Sequence, residues 1–381
     1  MTRPPGAWAG VVALGIGIFS IATSQFLPAG LLPLMAADLD VSVGVAGQSF
    51  TATALAAGPS ALQIAVVLPR TDRRRVMIGL TLLAVTSDLL VALAPGVLVL
   101  LVGRLLLGVA LGGFWSLGIA VTAHLVPVDR LGRALTVVNA GVPVATGVAV
   151  PLGAWVGDAW GWRAVFLLGA GVAAVALALQ VVSLPPVPPG PTGGLRALGS
   201  TLRSGMVQLG MLATVLVYAG HFAGFTYIRP LAEAAAGLDA RGVAALLLVF
   251  GCANLAGTVL AGQAADRAPR LGVLLFPSAV GTGMLLLLGV GGSVPALFTA
   301  ATLWGLGFGG VATSLQSWGA RVQPARLEQI GGVLVTAANT AVAVGAVAGG
   351  LLVGGAAGAP PLLGGIAALA GGLLIASLRQ R

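Results

Sequence analysis

The chain has 381 residues, of which 58 % are hydrophobic and only 8 % charged, and its mean hydropathy is +1.05. A soluble protein of this length could not cover its surface with so few charges, so the lipid bilayer is its main solvent. The net charge of +9 comes from 19 arginines and no lysine; their placement in short loops reads as a membrane-orientation signal rather than a nucleic-acid surface.

A helix needs about 20 apolar residues to cross the hydrocarbon. Twelve segments qualify: 8–34, 45–69, 76–95, 97–123, 134–157, 164–184, 206–229, 242–264, 271–291, 294–317, 330–355 and 359–378. They are continuous rather than alternating, which predicts helices and not barrel strands. The first is too long for a signal peptide and has no clear cleavage site. The 59 glycines suit close helix approach.

Span 1 contains "TSQFLPAGLLP" (23–33), with an amide, Gln25, inside the apolar run. Pro28, Gly30 and Pro33 follow and are expected to bend the helix. The loop after span 2, "VVLPRTDRRRV", carries Arg73 and Arg74. Span 3 holds Asp88, span 4 holds Arg104 and span 7 holds His221; these are the ionisable groups within spans. Such groups are costly in lipid and are functional candidates by default. Span 5 carries Pro151 and Gly153, a second expected hinge.

Residues 185–205, "PPVPPGPTGGLRALGSTLRSG", form the longest polar, Pro/Gly-rich stretch. They read as a linker between a six-span unit at 1–184 and another at 206–381. The two parts echo each other. "TGVAVPLGAWVG" (146–157) aligns with "VGAVAGGLLVGG" (344–355) at an offset of 198, and Gly58 and Gly257 are 199 apart. Tandem six-span repeats suit a secondary transporter rocking around a central site. An even number of spans places both termini on one side. That side holds fifteen arginines, the other holds Arg163, Arg229 and Arg241, and Arg104 lies within a span. The positive-inside rule therefore predicts a multi-pass protein of the cell membrane with both termini cytoplasmic.

Several stretches in order carry a family likeness: "FLPAGLLPLMAADLDVSVGVAGQ" in span 1, "GRLLLGVALGGFW" in span 4, "PLGAWVGDAWGWRAVF" joining spans 5 and 6, "GHFAGFTYIRPLAE" in span 7, "GQAADRAPR" between spans 8 and 9, and "NTAVAVGAVAGG" in span 11. Over nearly its whole length the chain resembles the major facilitator superfamily, specifically the twelve-span drug:proton antiporters and their arabinose- and chloramphenicol-efflux-like permeases. The resemblance implies an all-α fold of two pseudo-symmetric six-helix bundles, with a cavity formed mainly by spans 1, 2, 4, 5, 7, 8, 10 and 11. Gln25, Phe26, Trp115, Asn139, Tyr227, Trp304, Gln316 and Asn339 lie on such spans and are the expected substrate contacts, alternatives being helix packing or lipid contact. The resemblance also implies a cytoplasmic latch on the Gly…Asp-Arg loop, here Asp266, Arg267 and Arg270, with Arg73 and Arg74 in the other half.

Two departures stand out. Val67 occupies the place of Asp266 in the first half, and Gln25 stands where relatives usually have glutamate. Asp88, where relatives more often show asparagine, is read either as the counter-charge of Arg104 and the proton carrier or as a structural acid. His221 is read as a proton relay, a substrate ligand or an interhelical hydrogen-bonding group. The expected function is export of a small organic molecule, coupled to protons. An importer or uniporter without proton coupling is the alternative, and a non-transport receptor is a more distant one. The single Cys252, the two histidines and the lack of a P-loop give no sign of a metal, a cofactor or an enzyme. The expected partners are the substrate, protons and lipid, with no nucleic acid and a monomeric state.

Overall fold

The computed structural model describes residues 7–189, 195–225, 236–289, 292–353 and 359–377, with Ile228, Leu231 and Ala232. No strand occurs among the described residues. Among the described residues twelve helices are long and apolar enough to cross a membrane, one for each predicted segment.

The first sixty or so residues give α1 (Ala7–Phe26), α2 (Pro28–Asp38) and α3 (Val43–Val67). Next come α4 (Arg73–Ala92), α5 (Val97–Leu125), α6 (Leu131–Asn139) and α7 (Gly141–Val144). A π-turn at Ala145–Ala149 leads into α8 (Val150–Trp160), α9 (Trp162–Ser183) and the short α10 (Leu195–Leu202). The second part has α11 (Gly205–Phe225), α12 (Ala240–Arg267), α13 (Pro269–Leu286), α14 (Val294–Val322), α15 (Leu327–Val353) and α16 (Ala359–Ser377).

Local chemistry sets the starts. Ser42, Asp72, Asp239 and Ser293 each cap a helix by accepting from a backbone N–H of the first turn. Gly161 joins α8 to α9 with φ +82°, a backbone region that side chains disfavour. Two predicted spans are interrupted where prolines fall. Span 1 divides at Leu27, just before Pro28, and span 5 passes through the π-turn just before Pro151.

The chain forms two compact units. The first comprises residues 1–127, 137–199 and 325–336; the second comprises 128–136, 200–324 and 337–381. In the first, α5 packs on α3 and α4, and α9 packs on α4 and α1. In the second, α14 packs on α12 and α13, and α16 packs on α11 and α13.

The units repeat one packing device. A Cβ on Gly108 would fall 2.3 Å from the Thr53 carbonyl oxygen, and one on Gly112 would fall 2.0 Å from that of Ala57. In the second unit, a Cβ on Gly305 would meet the Phe250 oxygen at 2.5 Å, and one on Gly309 the Asn254 oxygen at 1.8 Å. Each pair recurs 197 residues later on the corresponding helices. Backbones this close require glycine.

Candidate functional site

Arg104 is wholly buried in the first unit. It projects from α5 toward α1 and α3, where backbone oxygens receive it. Nη1 donates to the Ser24 carbonyl at 2.6 Å, Nη2 to that of Gln25 at 3.0 Å and Nε to that of Ser49 at 3.3 Å. The availability of the Ser24 oxygen has a covalent cause. In a regular helix it would accept from the residue four positions on, but that residue is Pro28, which has no N–H. The proline that breaks span 1 therefore frees the acceptor that Arg104 uses.

Asp88, also wholly buried, extends from α4 to the same stretch of α1. Ser24 Oγ donates to Asp88 Oδ2 at 2.6 Å. The carboxylate lies against Gly169 of α9, where a Cβ would come within 3.1 Å of Oδ2. Asp88 Oδ1 has no partner among the described residues. Arg104 and Asp88 do not form an ion pair: Ser24 stands between them, its carbonyl to the arginine and its hydroxyl to the acid. The Gln25 side chain is half-buried and bonds to nothing among the described residues; only its backbone meets Arg104.

In the second unit, His221 of α11 is 1 % exposed. Trp304 of α14, also buried, donates from Nε1 to His221 Nδ1 at 2.9 Å. The imidazole stacks on Phe308, with ring centres 3.4 Å apart and 5° between planes, and on Phe225 at 5.1 Å and 19°. Phe222 meets it edge-on at 4.7 Å. Since an indole N–H can only donate, Nδ1 is the unprotonated nitrogen. Taking up a second proton would break the tryptophan bond, so this arrangement favours the hydrogen-bonding reading of His221 over the relay.

The remaining expected contacts divide between the units. Phe26 and Trp115 are half-buried and Asn139 is buried, all in the first; Gln316 is buried and Asn339 half-buried, both in the second. Tyr227 lies outside the described residues, as does the side chain of Pro151, and Gly30 falls inside α2. Pro33 falls inside α2. Gly153 faces Leu27, whose Cδ2 would be 2.5 Å from an added Cβ.

The Major Facilitator Superfamily model matches residues 14–349. A Pseudomonas aeruginosa protein named transcription regulatory protein OpdE is 38 % identical over 91 % of this chain and 87 % of its own length. The purine ribonucleoside efflux pump NepI of Salmonella paratyphi B is 36 % identical over 97 % of this chain and 91 % of its own. Among solved structures, the human organic anion transporter MFSD10 (TETRAN) superposes with a TM-score of 0.78 at 18 % identity, covering 98 % of this chain and 100 % of that one. The proton:xylose symporter XylE follows at 0.73 and 14 %, covering 97 % and 94 %. The chain belongs to the Major Facilitator Superfamily. Its twelve apolar helices and that membership make it a multi-pass membrane protein.

Two charged clusters in this superfamily member involve residues the sequence reading expected. In the second unit, Asp266 at the end of α12 accepts from the backbone N–H of Gly132 at 2.6 Å and of Arg133 at 3.3 Å, and from Arg133 Nε at 2.8 Å. A carboxylate at the first N–H groups of α6 suits the positive end of the helix dipole. In the first unit, Arg73 is buried and forms a two-point pair with Glu328, at 2.5 and 2.6 Å. It also donates to the Leu68 and Thr71 carbonyls. Val67 is exposed and takes no part. Arg74 donates to the Val181 carbonyl at 2.6 Å, while Arg267 is exposed.

Ser24, Arg133, Glu328 and Phe308 were not singled out in the sequence. Glu328 carried a signal, as an acid two residues before predicted span 11, and so did Ser24, four residues before a proline. The sequence offered no sign of Phe308 beyond its place among the helix aromatics.

Proposed function

We propose that the protein is a secondary transporter of the cell membrane that exports an uncharged small organic molecule by alternating access in antiport with protons, acting as a monomer with both termini cytoplasmic. The observation that carries this reading is the buried Ser24–Asp88–Arg104 group. It is an acid held on one oxygen and open on the other, beside a buried cation, in a chain whose relatives include named efflux pumps. In this reading Asp88 takes over the role of the acid absent at Gln25. Proton uptake on Asp88 removes the charge that Ser24 serves, frees its hydroxyl and loosens α1 against α4. Pro28 and Pro151 let α2 and α8 follow. Asp266 with Arg133 in the second unit, and Arg73 with Glu328 in the first, are the charged clusters of the cytoplasmic gate, flanked by Arg74, Arg267 and Arg270. Purine ribonucleosides are the first substrates to test, because that is what the NepI relatives are named for.

The test is transport in proteoliposomes with and without an imposed pH gradient. Wild type is expected to accumulate nucleoside when the gradient is applied. Asp88→Asn should keep substrate counterflow and lose the gradient effect. Gradient-driven accumulation that survives Asp88→Asn would remove Asp88 as the carrier. Counterflow with no gradient effect in wild type would instead favour a uniporter or importer. No counterflow for any substrate would leave a non-transport role.

A further inference from the structure

Three arginines around the start of α4 carry charges that the fold leaves unbalanced. Arg70 and Arg75 are exposed and Arg74 is half-buried. None of them forms an ion pair among the described residues. At this end of the first unit the acids are Asp72, which caps α4, and Glu328, which pairs with Arg73. Residues 1–6 and 190–194 add no acid.

Arg74 is fixed in place. Its Nη2 donates to the Val181 carbonyl at 2.6 Å, on the last turn of α9. That oxygen is available because the residue four positions on is Pro185, which has no N–H. An arginine at a membrane boundary ordinarily extends its head into water. This one is tied back beside Val181 and Val182, which are 45 % and 87 % exposed. Its Nε is buried with no acceptor among the described residues. A guanidinium has five N–H groups, and Val181 takes only one of them.

The adjoining surface is apolar and stepped. Thr81 Oγ1 donates to Gln180 Oε1 at 2.9 Å, which registers α4 against α9. Arg75, Gly79 and Leu82 follow one another along the exposed face of α4. A Cβ on Gly79 would meet nothing within 4 Å. On α9, Ala174 and Ala178 are exposed. Small residues next to a fixed cation leave room for a hydrocarbon chain along the helices.

We propose that Arg74 and Arg75 seat the phosphate of an anionic phospholipid, with an acyl chain lying against Gly79 and Leu82. A phosphodiester supplies the acceptor oxygens that the Arg74 guanidinium lacks, in the planar two-point geometry that arginine favours. A net-negative headgroup is selected over a zwitterionic one, because the acids here are already engaged and an ammonium group would find only cations. The seat stands apart from substrate and proton coupling, so its test does not depend on them.

The experiment is native mass spectrometry of the full-length protein in detergent, titrated with phosphatidylglycerol or phosphatidylcholine. Wild type should hold phosphatidylglycerol about tenfold more tightly than phosphatidylcholine, the scale of one charge-assisted hydrogen bond. Arg74→Gln should lower phosphatidylglycerol affinity by about tenfold. Arg70→Gln, the same charge change one turn earlier, should stay within about twofold. Gly79→Leu fills the open step, leaves the arginines intact and should weaken binding by about fivefold, the scale of a lost methylene contact. Equal affinity for the two lipids in wild type would overturn the proposal. So would equal losses in Arg70→Gln and Arg74→Gln, which would mark diffuse charge attraction. If Arg74→Gln fails to fold, Gly79→Leu decides: wild-type affinity in that variant would overturn the seat.

Discussion

Glu328→Leu is expected to loosen the start of α15 against the rest of the first unit. Arg73 and Glu328 are 1 % and 5 % exposed, so the pair is buried. Removing the acid leaves the guanidinium only the Leu68 and Thr71 carbonyls, with no counter-charge. Breaking a buried pair on one side costs about 3–5 kcal/mol, whereas replacing both partners by apolar groups of similar volume is often close to neutral. If residues 325–336 dock in a two-state manner, that cost multiplies the undocked population by roughly a hundredfold to a few thousandfold. Ser116 reports the change. It is fully buried, donates to the Glu328 carbonyl, and lies where a Cβ on Gly331 would strike its backbone oxygen at 2.1 Å. Ser116→Cys, in a Cys252→Ala background that removes the exposed native thiol, should be alkylated slowly. Adding Glu328→Leu should raise the rate by at least about a hundredfold, and adding Arg73→Met as well should bring most of it back. An unchanged rate in the single variant, or a double variant as fast as the single, would refute the ion-pair account of docking.

Pro28→Ala restores an N–H that competes with Arg104 for the Ser24 oxygen; gradient-driven transport should fall about tenfold, the scale of one weakened charged hydrogen bond, while counterflow of a saturating substrate should change less. Gly257→Ala should cost about 1–3 kcal/mol in thermal unfolding, since its Cβ would fall 1.9 Å from the Leu306 oxygen, while Gly58→Ala, with open space around it, should be nearly neutral. Asp38 accepts from Arg163 and from Trp162 Nε1, and the Arg163 hydrogen bond leads in holding its carboxyl below the usual value, against a smaller opposing effect of burial. A lowered folded-state pKa gives stability that is complete above the unfolded value near ~3.9 and is lost as pH falls through the folded value. Asp38→Asn should therefore lower the melting temperature by a constant amount from pH 8 to 5, and the gap should close on further acidification.

Periodicity and length were enough to locate the spans, because hydrocarbon thickness sets helix length. They could not place the kinks of spans 1 and 5 in detail, since these depend on what the freed backbone oxygens bond. The functional group around Arg104 shows the same division. Arg104 and Asp88 were legible as costly charges in lipid. That they meet through Ser24 was not, because a serine in a membrane helix is ordinary until its geometry is known. Pro28 marked a bend in the sequence; only the structure shows that the bend supplies an acceptor.

Pseudo-symmetry was a good guide to packing and a poor one to charge. The glycine contacts of α3 with α5 recur in α12 with α14 at a constant interval, because close backbone approach leaves one residue type possible. Gly58 and Gly257 broke that pattern: the first has open space and the second a carbonyl at contact. Charged clusters are freer, since many residue placements can supply an acid to a buried arginine. Val67 lacks the acid that Asp266 has, and the first unit uses Glu328 of span 11 with Arg73 instead. With valine at position 67, the first unit still holds a buried ion pair, its acid coming from the start of another helix. The same reasoning applies to Gln25. Once an acid on span 3 reaches span 1 through Ser24, an amide at position 25 no longer argues against a protonatable group there.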